Sequence, residues 1–243
     1  MERPQPARLN RRDLIHHLSK VNHDGSAARR IDILSRDFLG RPYEPSPLTG
    51  SADRAEVFTA SLDGFDCVTY IETILALARA LDVDDFVHWL RRIRYEEGSI
   101  RWERRNHYMT NWIRHNIRQG IISPIPMPGV PTISRQRVLS AVPGLAAQPV
   151  RVSCVPKWAT KRAVEPHLQS GDLIFFVSTR KNLDVFHAGI ISRDGQKVLM
   201  RHASRGHRMV VEQQLSEFLT ANRMAGIIVE RPQNTQLLRC AGG

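Results

Sequence analysis

The sequence contains few cysteines, and they do not form a pattern that would hold a fold together. There are three, Cys67, Cys154 and Cys240, and no two of them form a Cys-x-x-Cys pair. The odd number leaves at least one thiol free, which excludes a disulfide framework of the kind that small secreted domains use. The ten histidines are scattered, without the Cys/His spacing of zinc ligands. We therefore expect no metal and no other cofactor.

Long apolar segments are also missing. No stretch approaches the roughly 18 apolar residues that a membrane span requires. The basic segment 1–20 lacks the apolar region of a secretory signal. We expect no membrane span, and the sequence leaves the compartment open between the cytoplasm and, if a signal peptide has been removed, the periplasm. The oligomeric state is open as well.

Negative charge is in the minority. The chain has 35 Lys and Arg against 24 Asp and Glu, a formal net charge of +11 that favours anionic partners. The only dense basic segment, 88–108, is interrupted by Glu96, Glu97 and Glu103, and no nucleic-acid-binding motif is present. We expect no nucleic-acid binding. The charge indicates either a solvated basic surface or a site for a small acidic substrate.

The pattern of apolar residues changes near the middle of the chain. Before residue 120 they recur at helical spacing, with Asp84 as the expected cap of one helix, and after residue 150 short segments rich in Val, Ile and Phe alternate with polar turns. This order predicts an α+β fold in which N-terminal helices pack on a C-terminal antiparallel sheet. We predict a single domain, 1–243, made of a helical half at about 10–120, a Pro-rich connector at about 121–150 and a sheet half at about 151–231.

Cys67 stands at the start of a predicted helix. Asp66 is a good N-cap residue, which makes Cys67 the first helical residue. A thiol there faces unpaired N–H groups at the positive end of the helix dipole, and both favour the thiolate. Cys67 is therefore a candidate nucleophile, with core filling as the alternative. Cys154 and Cys240 have no adjacent base or cap, so we predict no role for them.

A hairpin signal supplies the base that a nucleophilic cysteine needs. The dipeptide Asp194-Gly195 suits a two-residue type I′ turn. With these two residues as the loop, His187 lies directly opposite His202 on one face of the sheet. We predict that His187 takes the proton of Cys67 and that His202 holds its tautomer. The sequence does not fix which histidine is the base; the small residues after His187 favour it.

Three segments in this order resemble the papain-like cell-wall amidases and peptidases of the NlpC type. They are GFDCVTYIE at 64–72, DVFHAGI at 184–190 and LMRHAS at 199–204. In that superfamily a cysteine at a helix start packs against an antiparallel sheet, which carries a histidine and a third polar residue. The resemblance implies a papain-like fold and the catalytic set Cys67, His187 and His202.

A closer resemblance is to the N-acetylmuramoyl-L-alanine amidase-like branch. Its motifs FLG-x-x-Y, DCVT-Y/F-x-E, IRY-x-x-G and R-x-HY stand here at 38–43, 66–72, 93–98 and 105–108. The resemblance covers about residues 30–230. It implies a cysteine amidase that hydrolyses the N-acetylmuramoyl–L-alanine bond of anionic muropeptides through a muramyl thioester. Cleavage between D-glutamate and diaminopimelate, or a non-catalytic basic binding module, are the alternatives.

The resemblance also implies residues that would hold the substrate or the oxyanion. Tyr43 matches a tyrosine whose hydroxyl reaches the reacting carbonyl, although it stands farther from Cys67 than is usual, so the loop 44–62 must fold away. Asp66 either caps the helix or contacts a substrate amine. We also expect a rim of side chains that binds a peptide carboxylate, since arginine binds carboxylates in a bidentate manner. Its members would be Arg94, Tyr95, Arg105, His107 and Tyr108. The alternative for these five is a helix surface with ordinary ion pairs.

Overall fold

The first four α-helices of the described chain begin at polar capping residues. In the computed structural model, which describes residues 7–21 and 25–234, the side chains of Asn10, Ser26, Asp66 and Asp82 accept hydrogen bonds from first-turn N–H groups. The fourth helix is thus capped by Asp82 and not by Asp84. None of the described helices has the length and apolar character to cross a membrane. The helices are α1 Arg11–Ser19, α2 Ala27–Asp37, α3 Cys67–Arg79, α4 Val83–Arg94, α5 Met109–Arg118 and α6 Leu215–Ala221.

The second half of the chain forms a large antiparallel sheet. The described strands are β1 Thr49–Ser51, β2 Arg54–Val57, β3 Ile122–Pro124, β4 Ile133–Leu139, β5 Gln148–Pro156, β6 Leu173–Val177, β7 Val185–Asp194, β8 Lys197–Ser204, β9 Met209–Gln214 and β10 Gly226–Pro232. Eight of them pair in the order β4-β5-β10-β6-β7-β8-β9, with β3 added on β10. Strands β1 and β2 form a separate hairpin.

The predicted connector is more structured than its prolines suggest. Strands β3 and β4 and the first residues of β5 lie within 121–150, and β4 pairs with β5 along its whole length. The prolines are confined to the chain before β4 and to single positions after it. Strand β4, with the sequence ISRQRVL, is mostly polar and shows no clean alternation of buried side chains. A strand of this kind gives no apolar signal in a sequence.

Two cores lie on opposite faces of the sheet because side chains alternate along each strand. Leu173 and Phe175 face the N-terminal helices, whereas Ile174 and Phe176 face α6 and the short helical segment 157–167. Helix α3 is buried along almost its whole length and packs against α2, α4, β7 and β8. This arrangement confirms the α+β, papain-like expectation, since the helix that begins at Cys67 lies on the antiparallel sheet.

The pairing register of β7 with β8 differs by two residues from the predicted one, and the loop lies one residue later. Asp194 pairs with Lys197, so the loop is Gly195–Gln196 and not Asp194-Gly195. Its glycine has a φ of 56°, which suits the first position of a type II′ turn. Because side chains alternate with a period of two, this shift leaves His187 and His202 on the same face. They are diagonal neighbours and not directly opposite.

Candidate active site

Cys67 is held as the first residue of α3 by a capping box. The Asp66 Oδ1 atom accepts from the N–H groups of Val68 at 3.1 Å and Thr69 at 2.7 Å. In return, the N–H of Asp66 donates to the Thr69 hydroxyl at 3.0 Å. Asp66 is therefore the helix cap that the sequence indicates, and one of its oxygens is committed to the backbone.

The sulfur of Cys67 lies against strand β7. The backbone N–H of Ala188, the residue after His187, lies beside it, and this group and the N–H groups of Cys67 and Val68 lower the pKa of the thiol. Burial, and after it the negative charge of Asp66, outweighs these donors and raises the pKa of Cys67 to about 12. The N–H groups at the helix start thus favour the thiolate, as expected, but they do not make the resting sulfur a thiolate. Cys67 is a neutral thiol that remains partly exposed.

The side chains of His187 and His202 contact each other. His187 Nε2 lies 2.6 Å from His202 Nδ1, and the rings meet edge to face with their centroids 4.7 Å apart. His202 Nε2 lies 2.9 Å from the Oε1 atom of Gln213 on β9. The predicted proximity of the two histidines is thus present, and Gln213 extends it to a third strand.

A β-bulge and an aromatic pocket orient His187. The pairing of β6 with β7 shifts by one residue just beyond the Phe176–His187 pair. The His187 ring stacks on Phe218 of α6, with a centroid distance of 5.3 Å, and on Phe176, at 6.2 Å. Burial, followed by the proximity of His202, lowers the pKa of His187 to about 3. Burial also lowers the pKa of His202, so both imidazoles are neutral at neutral pH.

Tyr43 comes close to Cys67 despite the long loop between them. Its backbone forms a parallel bridge with Phe65, two residues before Cys67, and the hydrogen bonds on either side of the bridge measure 2.9 and 3.0 Å. The intervening chain folds away as the hairpin of β1 and β2. Burial, then electrostatic interaction with the thiol group of Cys67 and the carboxylate of Asp66, raises the pKa of Tyr43.

Arg94 belongs to the interior of the protein. Its side chain is 2% exposed, and it donates from Nε to Glu72 at 2.7 Å and from Nη1 to the carbonyl of Thr59. The indole N–H of Trp112 donates to the other Glu72 oxygen at 3.1 Å. The prediction that Arg94 lies on a substrate-reading rim is therefore wrong. Arg94 can be buried within the helical layer because the carboxylate of Glu72 compensates its charge.

The motif 105–108 builds a second internal cluster. Arg105 Nη1 donates to Glu56 Oε1 at 3.1 Å, and His107 Nε2 lies 2.7 Å from the carbonyl oxygen of Trp102. Tyr108 is buried, and its hydroxyl accepts a backbone N–H at 3.1 Å, so it is not part of a rim. Arg105 and His107 are half-buried. A role for these two in substrate binding stays a prediction.

Sequence reasoning missed Gln213 and Phe218, which both contact the histidines. The segment MVVEQQ carries two adjacent glutamines, and only the pairing of β8 with β9 decides which of them shares a face with His202. Phe218 reads as an ordinary apolar residue of a short amphipathic helix. Neither side chain carries a signal that separates it from a packing residue.

The site contains the thiol of Cys67 and the two neutral, hydrogen-bonded imidazoles of His187 and His202. Nucleophilic acyl transfer uses groups of this kind. The Nδ1 atom of His187 makes no hydrogen bond to any residue in 7–21 or 25–234. No group of three or more His, Cys, Asp or Glu in these ranges has the geometry to hold a metal ion. The described groups can therefore supply a nucleophile, a base and a residue that orients the base.

The sequence matches the family model described as AmiA-like, N-acetylmuramoyl-L-alanine amidase-like, over residues 33–227. This range is about four-fifths of the chain and includes Tyr43, Cys67, His187 and His202. No curated protein shows a significant match to the sequence.

Several solved structures resemble this chain over most of its length. An N-acetylmuramoyl-L-alanine amidase from Bacteroides uniformis is 26% identical, with a TM-score of 0.75 and coverage of 86% of this chain and 100% of that one. A putative xylanase from Bacteroides fragilis is also 26% identical, with a TM-score of 0.69 and coverages of 81% and 98%. Protein LPG0564 from Legionella pneumophila, at 20% identity, shares the fold, with a TM-score of 0.78 and coverages of 91% and 93%.

Proposed function

Because this chain belongs to the N-acetylmuramoyl-L-alanine amidase-like family, we propose that it is a cysteine amidase of peptidoglycan fragments. The bond cleaved is the amide between the lactyl group of N-acetylmuramic acid and L-alanine. The observation that carries the proposal is the contact of His187 with His202 at 2.6 Å, next to Ala188, whose backbone N–H lies beside the sulfur of Cys67 and lowers its pKa. The similar Bacteroides uniformis protein bears the name of this activity.

The first step forms a thioester. The sulfur of Cys67 adds to the lactyl carbonyl carbon while its proton passes to Nδ1 of His187, because both groups are neutral in the resting site. The C–N bond then breaks, and His187 gives that proton to the nitrogen of L-alanine. The peptide leaves with a free amine, and the muramyl group remains on Cys67.

The negative oxygen formed during the attack needs donors. The backbone N–H of Cys67 lies at the start of α3, where the helix leaves N–H groups unpaired, and the Tyr43 hydroxyl is the second donor. Donors placed in this way are worth several kcal/mol in acyl transfer. Tyr43 takes this role because its backbone is fixed against Phe65.

The second step releases the sugar acid. Water attacks the thioester carbonyl, His187 takes a proton from the water, and the bond between carbon and sulfur breaks. The proton returns to the sulfur, so the enzyme ends in its starting state and the muramyl carboxylate is freed. The substrate and both products carry carboxylates, which the net charge of +11 attracts.

Mass spectrometry of a digested muropeptide tests the bond. The proposal expects a free peptide that begins with L-alanine, together with the muramic-acid fragment. Release of an L-Ala-D-Glu dipeptide, or of its muramyl form, would instead assign cleavage between D-glutamate and diaminopimelate.

Substitutions test the residues. Cys67→Ala and His187→Ala are expected to abolish turnover with the fold intact, and His202→Ala to lose less, since orienting a base is worth less than supplying the nucleophile. Cys154→Ala is the matched control, because Cys154 is buried in the sheet away from these contacts. Full activity of Cys67→Ala would rule out the cysteine mechanism and favour a different chemistry.

A further inference from the structure

The hydrogen bonds of His187 continue through His202 to the side chain of Gln213, which lies on β9. We propose that Gln213 is a positioning residue that sets the tautomers of both histidines and so leaves a lone pair on Nδ1 of His187. This inference rests on the proposed function, in which His187 Nδ1 takes the proton of Cys67.

The direction of each hydrogen bond follows from the amide oxygen, which can only accept. Gln213 Oε1 lies 2.9 Å from His202 Nε2, so the proton of His202 is on Nε2. In a neutral imidazole the other nitrogen then has a lone pair, and His202 Nδ1 accepts from His187 Nε2 at 2.6 Å. The proton of His187 is accordingly on Nε2, and its Nδ1 is free to accept.

The opposite arrangement would disable the base. If the proton of His202 were on Nδ1, it would donate to Nε2 of His187, and the proton of His187 would move to Nδ1. That atom could no longer take a proton from Cys67. Two neutral imidazoles have both arrangements available, and Gln213 selects between them.

The surroundings of His202 contain no carboxylate partner among the described residues. Its relative exposure is 1%, and the titratable groups around it are His187 and His207, whose positive forms would lower its pKa. Glu212 points to the other face of β9, where its carboxylate pairs with Arg201 at 2.7 Å. A neutral amide at position 213 therefore fixes the tautomer without adding a charge that would protonate His202.

A glutamate at this position should act differently from an apolar residue. Gln213→Glu keeps an acceptor but adds negative charge, which stabilises the imidazolium form of His202. A protonated His202 donates from Nδ1, so His187 is disabled until the pH exceeds the raised pKa of His202. Gln213→Met keeps the length of the side chain and removes the acceptor, so the tautomers are no longer selected.

The test is the pH profile of muropeptide cleavage by the full chain. For Gln213→Glu we expect the acidic limb of the kcat profile to move to higher pH with the plateau retained. For Gln213→Met we expect kcat to fall about 10-fold or more at every pH, with little change in KM. Gln214→Met is the control, because Gln214 is exposed and bonds Glu217. An unmoved limb in the first variant, or an unchanged kcat in the second, overturns the proposal.

Ring-nitrogen chemical shifts in NMR test the tautomers without substrate. The unsubstituted protein should show both histidines protonated on Nε2, and Gln213→Met should show a mixture. Tautomers as proposed in a protein that does not cleave muropeptides would support the inference and refute the amidase. Tautomers that do not respond to Gln213→Met, in a protein that is an active amidase, would refute the inference alone.

Discussion

At the scale of single residues, Asp66 acts on Cys67 in two opposed ways. It fixes the start of α3 and so brings backbone N–H groups to the sulfur, and those donors lower the pKa of Cys67. Its own charge raises the same pKa, second only to burial. The carboxylate therefore builds the site and at the same time keeps the thiol protonated.

Replacing the carboxylate by an amide should separate the two effects. Asp66→Asn keeps an oxygen that caps the helix and removes the negative charge. The pKa of Cys67 should fall, so its alkylation by iodoacetamide should be faster at a given pH and its rate profile should move to lower pH. Asp82→Asn, at the cap of α4, is the control and should leave the profile unchanged. An identical profile for Asp66→Asn would show that this charge does not act on the sulfur.

The candidate nucleophile and the contact between the two histidines could be predicted from the sequence because their signals are local. A capping aspartate precedes Cys67, and a turn signal lies between His187 and His202. The place of Arg94 could not be found in this way. Its partner Glu72 is on a different helix, and an arginine at a helix end looks the same whether it faces water or a buried carboxylate. The protonation state of Cys67 could not be predicted from the sequence either, since burial is a property of the folded chain.

At the scale of elements, the Glu72–Arg94 pair ties three helices together. Glu72 lies on α3, Arg94 ends α4, and Trp112 of α5 donates to the same carboxylate. Both ionic side chains are almost fully buried, with relative exposures of 3% and 2%. Removal of one partner from such a pair leaves the other charged without compensation.

Arg94→Met should therefore destabilise the fold by about 3–5 kcal/mol, as measured by chemical denaturation. The double variant Glu72→Leu with Arg94→Met should recover much of the loss, because no buried charge remains. Arg104→Met is the control, since its pair with Glu96 is exposed and such pairs contribute about 1 kcal/mol or less. If Arg94→Met were as stable as the unsubstituted protein and instead raised KM, the rim interpretation would be restored.

Element boundaries show which parts of the fold had a sequence signal. Helices α3 and α5 and strands β6 to β10 lie where apolar spacing predicts them. The hairpins β1–β2 and β4–β5 were missed, since β1, β2 and β4 are largely polar and bury a single residue, Leu139, among them. The turn after β7 was placed one residue early, which shifts the pairing register by two, because Asp-Gly is a common hairpin dipeptide, whereas Gly195 here opens the loop.

At the scale of the whole molecule, the large sheet lies between two hydrophobic cores and contributes side chains to both. The helix-side core and the α6-side core share the strands β6, β7 and β8, whose alternate residues supply both. Loss of either core would expose one full face of the same strands. If the chain is a single domain, as predicted, both cores should therefore unfold together in one cooperative transition.

Unfolding in urea should be a single transition with coincident probes. Trp89, Trp102 and Trp112 report on the helical half by fluorescence, whereas far-UV circular dichroism reports on the whole chain. Trp158→Phe, in the strand-rich half, removes the exposed fourth indole and should leave the midpoint unchanged. Two separated transitions would indicate that the halves are independent domains.

The position of β10 in the sheet has a consequence for synthesis of the chain. This strand is the last one described, yet it lies between β5 and β6 and also pairs with β3. Until residues 226–232 have left the ribosome, the nascent sheet is in two parts, each with an open edge. Such edges can pair with other chains. We infer that the site, although complete in sequence by residue 218, cannot be stably assembled during translation before the final strand joins the two parts.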